Sequence, residues 1–367
     1  MLIGCSINEI SSPSPAPTST LPPTRPPATP TPTPSPTTAT LRRRAAGMLV
    51  VGFTGRTLPN DDPILKAIRA GLGGVILFSR NIDSPQQLAT LTAKLRAAAG
   101  TRPLLIAIDQ EGGAVARLNP ANGFARTPPA AQVGARNDPV YARRVGAKIG
   151  TMLRDSGINL NLAPVVDLNV NPANPSIGAL GRSYSADPDV VVAMASKVMA
   201  AQRKRGVLTT LKHFPGLGSA TGDTDHEFVD VSAMWSDAEL EPFRRLIASG
   251  APDLVMLANA FNDQLDARHP ASLSAATLSL LRDGLGWRGA TITDDLMAGA
   301  ITANYAREDA LRLAINAGND LLLLANTGNN ATDLVQPALD SIEKLVAAGK
   351  VTEAQIDGAN ARIAALL

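Results

Sequence analysis

The run Gly289-Ala290-Thr291-Ile292-Thr293-Asp294-Asp295-Leu296-Met297 delivers two adjacent carboxylates at the end of a short apolar stretch. A carboxylate held rigidly at a strand end can serve as the nucleophile of retaining glycoside hydrolysis, which also needs a separate proton donor. The same two Asp residues could instead cap the next helix. Asp109-Gln110-Glu111-Gly112-Gly113-Ala114-Val115-Ala116-Arg117-Leu118 adds carboxylates, glycines that let backbone approach a ligand, and a cation. Carboxylates accept paired hydrogen bonds from sugar hydroxyls and Arg can bridge to them, although a tight turn with a surface ion pair would look alike. Lys212-His213 runs into a long loop of small residues that ends Gly222-Asp223-Thr224-Asp225-His226. Its Gly216-Leu217-Gly218 invites a phosphate-cradle reading, but the Lys-Ser/Thr of a P-loop is absent and no amphipathic helix follows at once. Flexible glycines with an Asp and a His at the tip suit a mobile loop that brings in a proton donor. The plainer alternative for His226 is a solvated loop histidine.

Composition narrows the chemistry further. Cys5 is the single cysteine, and His213, His226 and His269 show no paired spacing, so no built-in metal site is expected. No organic cofactor is implied either. A formal net charge of +2 and an aromatic content of 3% give no footprint for nucleic acid.

Such side chains need elements to position them. From Ala45 onward, apolar runs at 48–51, 75–78, 104–108, 160–166, 207–211, 254–257, 290–293 and 321–324 alternate with helical patterns. Continuous apolar runs fit strands covered on both faces. Ser84-Pro85 starts a helix with Leu88, Leu91 and Leu95 on one face and Gly100 as its stop, and Asp187-Pro188 opens another. Ser274 precedes a third, and residues 305–317 read as a fourth. Eight strands alternating with helices predict an α/β fold, a (β/α)8 TIM-type barrel in one catalytic domain, with an open doubly wound sheet as the alternative. Polar residues follow the runs at their C-terminal ends: Asp109, Asp167, Lys212-His213, Asn259 and Asp294-Asp295. In a parallel barrel those ends share the face on which active sites form.

Residues 1–44 differ in kind, being a low-complexity Pro/Thr/Ser stretch expected to act as a disordered, semi-rigid tether to the domain at 45–367. Just ahead of it, Leu2-Ile3-Gly4-Cys5-Ser6 resembles a bacterial lipobox, although no basic n-region or long apolar run precedes it. The expectation is a lipid anchor through Cys5 and an extracytoplasmic, membrane-anchored or secreted monomer. No later segment approaches the roughly 20 apolar residues that span a bilayer.

Together with Ala163-Pro164-Val165-Val166-Asp167-Leu168-Asn169 and Gly181-Arg182-Ser183-Tyr184, these motifs resemble family 3 glycoside hydrolases of the bacterial β-N-acetylhexosaminidase branch. The resemblance runs from Ala45 to Leu367. It implies Asp294 as nucleophile and Asp109, Arg117, Arg182, Lys212 and His213 as ligand contacts around the hexosamine. It also implies a loop His as acid/base, paired with an Asp two residues earlier. Here the chain departs from the pattern, because the position two before His226 is Thr224 and the adjacent carboxylate is Asp225. The pairings Asp225–His226 and Asp223–His226 both stay open, as does a loop with no working acid/base. Leu217 replaces a second His between the glycines, and Ala114 stands where the family often has Arg. The expected activity is retaining hydrolysis of terminal β-linked N-acetylglucosamine from cell-wall or chitin-like oligosaccharides. A β-glucosidase or glycoside phosphorylase of the same family, a non-catalytic sugar-binding lipoprotein, and a nucleotide-binding domain on residues 216–222 are the alternatives.

Overall fold

The computed structural model describes Met1 and residues 40–328 and 331–367; the expected Pro/Thr-rich tether and Cys5 lie outside the described residues. Eight parallel strands form the centre: β1 Leu49–Gly52, β2 Gly74–Leu77, β3 Leu105–Ile108, β4 Leu160–Asn161, β5 Leu208–Phe214, β6 Leu254–Leu257, β7 Ala290–Thr293 and β8 Leu322–Leu324. The hydrogen-bonded order is β8-β1-β2-β3-β4-β5-β6-β7, and a parallel bridge between Ile292 and Leu321 joins the two ends into a ring. This is the (β/α)8 barrel expected from the alternation of apolar runs. The open-sheet alternative fails because β7 and β8 meet.

Most of these strands are buried on both faces, which explains why they read as unbroken apolar runs. Two bounds differ from expectation. The run 160–166 is strand only at Leu160–Asn161, with Val165 making a single bridge to Lys212, and β5 continues through His213 to Phe214. Helices cover the outside. Asp62, Ser84, Asp138 and Asp187 each accept a backbone N–H in the first turn of a helix whose next residue is proline, opening α2 Pro63–Ala70, α3 Pro85–Ala99, α5 Pro139–Asp155 and α6 Pro188–Arg203. The carboxylate or hydroxyl satisfies a donor that the helix leaves unpaired, and proline needs no partner there. Ser274 caps a short helix over Ala275–Ser279, which continues as a π turn over Leu280–Gly284.

The folded body starts earlier than the expected boundary at Ala45. Helix α1, Leu41–Gly47, is capped by Thr40, and its arginines are tied to the end of the chain. Arg42 pairs with Asp340 and Glu343 on α11 (Val335–Ala347), and Arg44 pairs with Glu353 and Asp357 on α12 (Glu353–Leu366). A charged triplet that resembles linker sequence is thus the contact between the first and last helices.

Candidate active site

At the C-terminal ends of the strands lies a cavity of about 550 Å³. Its apolar floor comprises Ile76 on β2, Leu162 just after β4, Met256 on β6 and Leu323 on β8. These side chains come from even-numbered strands, as one layer of a packed barrel should. The polar walls are built on the loops above them.

Asp109 and Glu111 follow β3. Between them the buried Gln110 side chain exchanges hydrogen bonds with the backbone of Leu118, donating at 3.0 Å and accepting at 2.9 Å. That pairing folds residues 110–116 into a short hairpin and sets Arg117 beside Asp109, with Nη2 3.9 Å from Asp109 Oδ2. The hairpin turn needs glycine at Gly112, where φ is 105° and a Cβ would lie 2.1 Å from the Pro128 carbonyl oxygen. Arg117 also lies over the Phe78 ring at 5.4 Å, and its buried Nε has no hydrogen-bond partner among the described residues. Ala114 is exposed in the hairpin turn and does not line the cavity.

Lys212 and His213 are consecutive on β5, where a regular strand would point them to opposite faces. The pairing of β5 with β6 shifts register between Leu211 and Phe214, and both side chains reach the cavity. Lys212 Nζ donates to Asp109 Oδ1 at 2.7 Å and lies 2.8 Å from Glu111 Oε1. Arg182 clamps Glu111 with two bonds of 2.8 Å and donates a third, of 2.7 Å, to the Ser176 carbonyl. Burial by itself would raise the Glu111 pKa, but Arg182 and Lys212 outweigh it and hold the carboxyl well below the usual range. Desolvation opposes the charge on Lys212 and Arg182, but Asp109 and Glu111 raise the first and Glu111 the second, so all three stay charged. His213 Nδ1 lies 2.7 Å from Asp167 Oδ2, and its Nε2 lies 3.5 Å from Arg182. Asp167, fully buried, also accepts the backbone N–H groups of His213 and Leu217. It fixes both the imidazole and the start of the following loop.

Asp294 ends β7, four places from β3 in the ring and therefore across the barrel from Asp109. Its Oδ1 accepts the Asp295 N–H at 2.8 Å, and Oδ2 has no partner among the described residues. Asp295 also borders the cavity but is bound to backbone: its Oδ1 accepts the N–H groups of Met297 and Ala325, and burial pushes its pKa up to about 7. Asp294 faces the cavity, and neither aspartate caps the next helix, Gly299–Thr302, which Ala298 precedes without a side-chain cap.

The loop after β5 forms the remaining wall. Glu239 lies beneath it and accepts from Gly218 N at 2.8 Å and Ser219 N at 3.3 Å. Further on, Asp223, Asp225 and His226 line the cavity. Among the described residues, the carboxylate within 4.0 Å of His226 belongs to Asp223, the second of the two pairings left open, and not to the adjacent Asp225. The chain turns tightly here, with both His226 N and Glu227 N bonded to the Asp223 carbonyl. That turn brings residue 223 back toward His226 while Asp225 projects elsewhere.

All the expected site residues line this one cavity: Asp109, Arg117, Arg182, Lys212, His213, Asp225, His226 and Asp294. Glu111 and Asp167, which were not among the expected site residues, organise them. Both had a visible signal, since each is a carboxylate following an apolar run. Among the described residues, no group of three His, Cys, Asp or Glu could hold a metal ion. Such an arrangement can grip hydroxyls between Asp109, Arg117 and Lys212 and present an anionic oxygen from the opposite side.

Residues 40–366 match the family model described as the glycosyl hydrolase family 3 N terminal domain. A β-hexosaminidase of Xylella fastidiosa is 36% identical over 305 residues, covering 80% of this chain and 87% of its own length. Beta-hexosaminidase A of Pseudoalteromonas piscicida is 33% identical over 325 residues; 81% of this chain spans about half, 53%, of that protein. Among solved structures, a family 3 β-N-acetylglucosaminidase from Paenibacillus superposes with a TM-score of 0.82 at 36% identity, over 89% of this chain and 62% of that one. A β-N-acetylhexosaminidase from Beutenbergia cavernae superposes at 0.81 and 33% identity, over 89% and 98%. The chain belongs to glycoside hydrolase family 3.

Proposed function

From that membership, we propose that the protein is a retaining β-N-acetylhexosaminidase that removes terminal β-linked N-acetylglucosamine through a covalent ester on Asp294. The observation that carries this reading is the Asp294 Oδ2 oxygen, which has no partner among the described residues and faces the Asp109–Lys212 wall. A sugar ring gripped at its hydroxyls by that wall would present its anomeric carbon to Asp294. Attack forms the glycosyl ester and expels the aglycone, which takes a proton from the 223–226 loop; water then cleaves the ester with net retention. A cavity closed below by the apolar floor suits a terminal sugar rather than the middle of a polymer. The names of the related proteins support N-acetylglucosamine as that sugar.

An aryl β-N-acetylglucosaminide tests the activity. The wild type should release the aryl alcohol and β-configured sugar. Asp294→Asn should lose roughly 10³-fold or more in kcat/KM and accumulate no glycosyl-enzyme detectable by mass spectrometry. Binding of N-acetylglucosamine without any turnover would establish a non-catalytic sugar-binding protein instead. Glycosyl phosphate as product when inorganic phosphate is added would establish a phosphorylase.

The Leu2-Ile3-Gly4-Cys5-Ser6 run and the proline-rich stretch behind it support an anchored, extracytoplasmic enzyme acting on cell-wall fragments or chitin-like oligosaccharides. Incorporation of a labelled fatty acid that vanishes in Cys5→Ser checks the anchor; equal labelling of both, or of neither, would refute it.

A further inference from the structure

The loop over the cavity carries two neighbouring groups able to move a proton, and their surroundings differ. The His226 side chain is 83% exposed, and its Nε2 stands 4.0 Å from Asp223 Oδ2, too far for a hydrogen bond. Among the described residues, no hydrogen-bond partner therefore sets its tautomer or holds its ring over the cavity. Asp225 is fixed through its main chain. Its carbonyl accepts from Gly299 N at 2.9 Å, the neighbouring Thr224 carbonyl accepts from Ala300 N at 3.1 Å, and its own N–H donates to Asp223 Oδ1 at 3.1 Å. These bonds dock the loop on the start of α9 (Gly299–Thr302), five residues after the nucleophile position. The approach is tight, since a Cβ on Gly299 would lie 2.2 Å from the His226 carbonyl oxygen.

The Asp225 carboxyl lines the same cavity as Asp294 and makes no ion pair or side-chain hydrogen bond with the described residues. Asp225 is exposed at the cavity rim like His226, yet desolvation by the protein around it, then the carboxylates of Asp294 and Asp223, raise its pKa above that of an ordinary aspartate, against the smaller pull of Arg182 and His213. A neighbouring carboxylate favours the protonated form of a carboxyl that shares its cavity.

We propose that Asp225, not His226, is the general acid/base of this enzyme. This rests on the retaining mechanism proposed above and names the proton carrier left open there. In the first step the Asp225 carboxyl gives its proton to the glycosidic oxygen as the bond to the anomeric carbon breaks and Asp294 forms the ester. In the second, the Asp225 carboxylate takes a proton from water as the water oxygen attacks the anomeric carbon. The ester bond breaks, Asp294 leaves as carboxylate, and Asp225 is again protonated.

The test uses the full chain as wild type, Asp225→Asn and His226→Ala, with an activated dinitrophenyl β-N-acetylglucosaminide and the β-1,4-linked disaccharide. Asp225→Asn keeps the backbone bonds. It should lose about 10²–10⁴-fold in kcat/KM on the disaccharide and ten-fold or less on the aryl glycoside, whose leaving group needs no proton. Azide should restore its aryl turnover and appear in the product as β-glycosyl azide, a signature that loss of packing would not produce. His226→Ala should change both substrates by less than about ten-fold. The leaving-group-dependent loss in His226→Ala and not in Asp225→Asn would overturn the assignment. So would an Asp225→Asn variant as active as wild type on the disaccharide. Either result leaves the proposed function standing, because the wild-type reaction and the Asp294 ester are read separately.

Discussion

Glu111, with its side chain only 4% exposed, sits between Arg182 and Lys212 and is the hub of the buried charges. Removing one partner from such a cluster leaves uncompensated buried cations. Glu111→Gln should therefore destabilise the protein by about 3–5 kcal/mol, read as a fall in denaturation midpoint, and should weaken sugar binding by loosening Arg182 and Lys212. Glu239 offers the opposite case. It is buried, one carboxylate oxygen has no partner among the described residues, and burial beside Asp167 pushes its pKa up to about 7. A carboxyl whose folded pKa lies above the unfolded value binds more protons in the fold, so its contribution declines as pH rises through the window ending near 7. Glu239→Gln should raise the melting temperature at pH 8 by roughly 2–4 °C and leave it at pH 5 within about 1 °C. An equal change at both values would refute the ionisation account. At this scale Asp109, Arg117, Lys212, His213 and Asp294 were legible in the sequence as charged or polar residues in motifs near strand ends, and Arg182 only through the family resemblance. The carboxylate nearest His226 was not, since the sequence left Asp225 and Asp223 both open and a tight turn brings Asp223 to 4.0 Å.

At the scale of elements, most of the site depends on departures from regularity. The register shift in β5 brings Lys212 and His213 to one side. The loop after it is held from below by Glu239 and at its tip by Gly299. Apolar periodicity locates strands well but carries no signal for a bulge, which is why β5 runs on past the end of its apolar run. Gly299→Ala should push the 223–226 segment off α9, because the added methyl meets backbone rather than a flexible side chain. The expected outcome is a loss of roughly 10–100-fold in kcat/KM on the disaccharide, with a much smaller loss on an activated aryl glycoside and little change in melting temperature. Equal losses on both substrates would place the damage in sugar binding instead.

For the whole molecule, closure of the barrel is the feature on which everything else rests. Asp320, fully buried just before β8, accepts from Thr291 N at 2.7 Å, Arg282 at 2.8 Å and Arg362 at 2.7 Å. It ties the edge of β7 and the last helix together at the face opposite the cavity. Asp320→Asn should cost about 3–5 kcal/mol in unfolding free energy while kcat/KM per folded molecule stays within about two-fold of wild type. A selective loss of activity would show that closure and site are coupled. Helix α1 performs a related task at the outer seam through Arg42 and Arg44, which sequence composition alone had assigned to the linker.

The sequence by itself determined the alternation of strands and helices, the face on which polar residues gather, and the family whose motifs those residues share. These are readable because burial imposes a local period and because each motif is contiguous. The tertiary structure decided which carboxylate turns toward which partner. It set Asp294 in the cavity and Asp295 in the backbone, Asp223 near His226, and Asp225 in the cavity with Asp294. Neighbours in sequence are separated there by a turn, a bulge or a docked glycine, and the energies that separate them come from contacts made across the barrel.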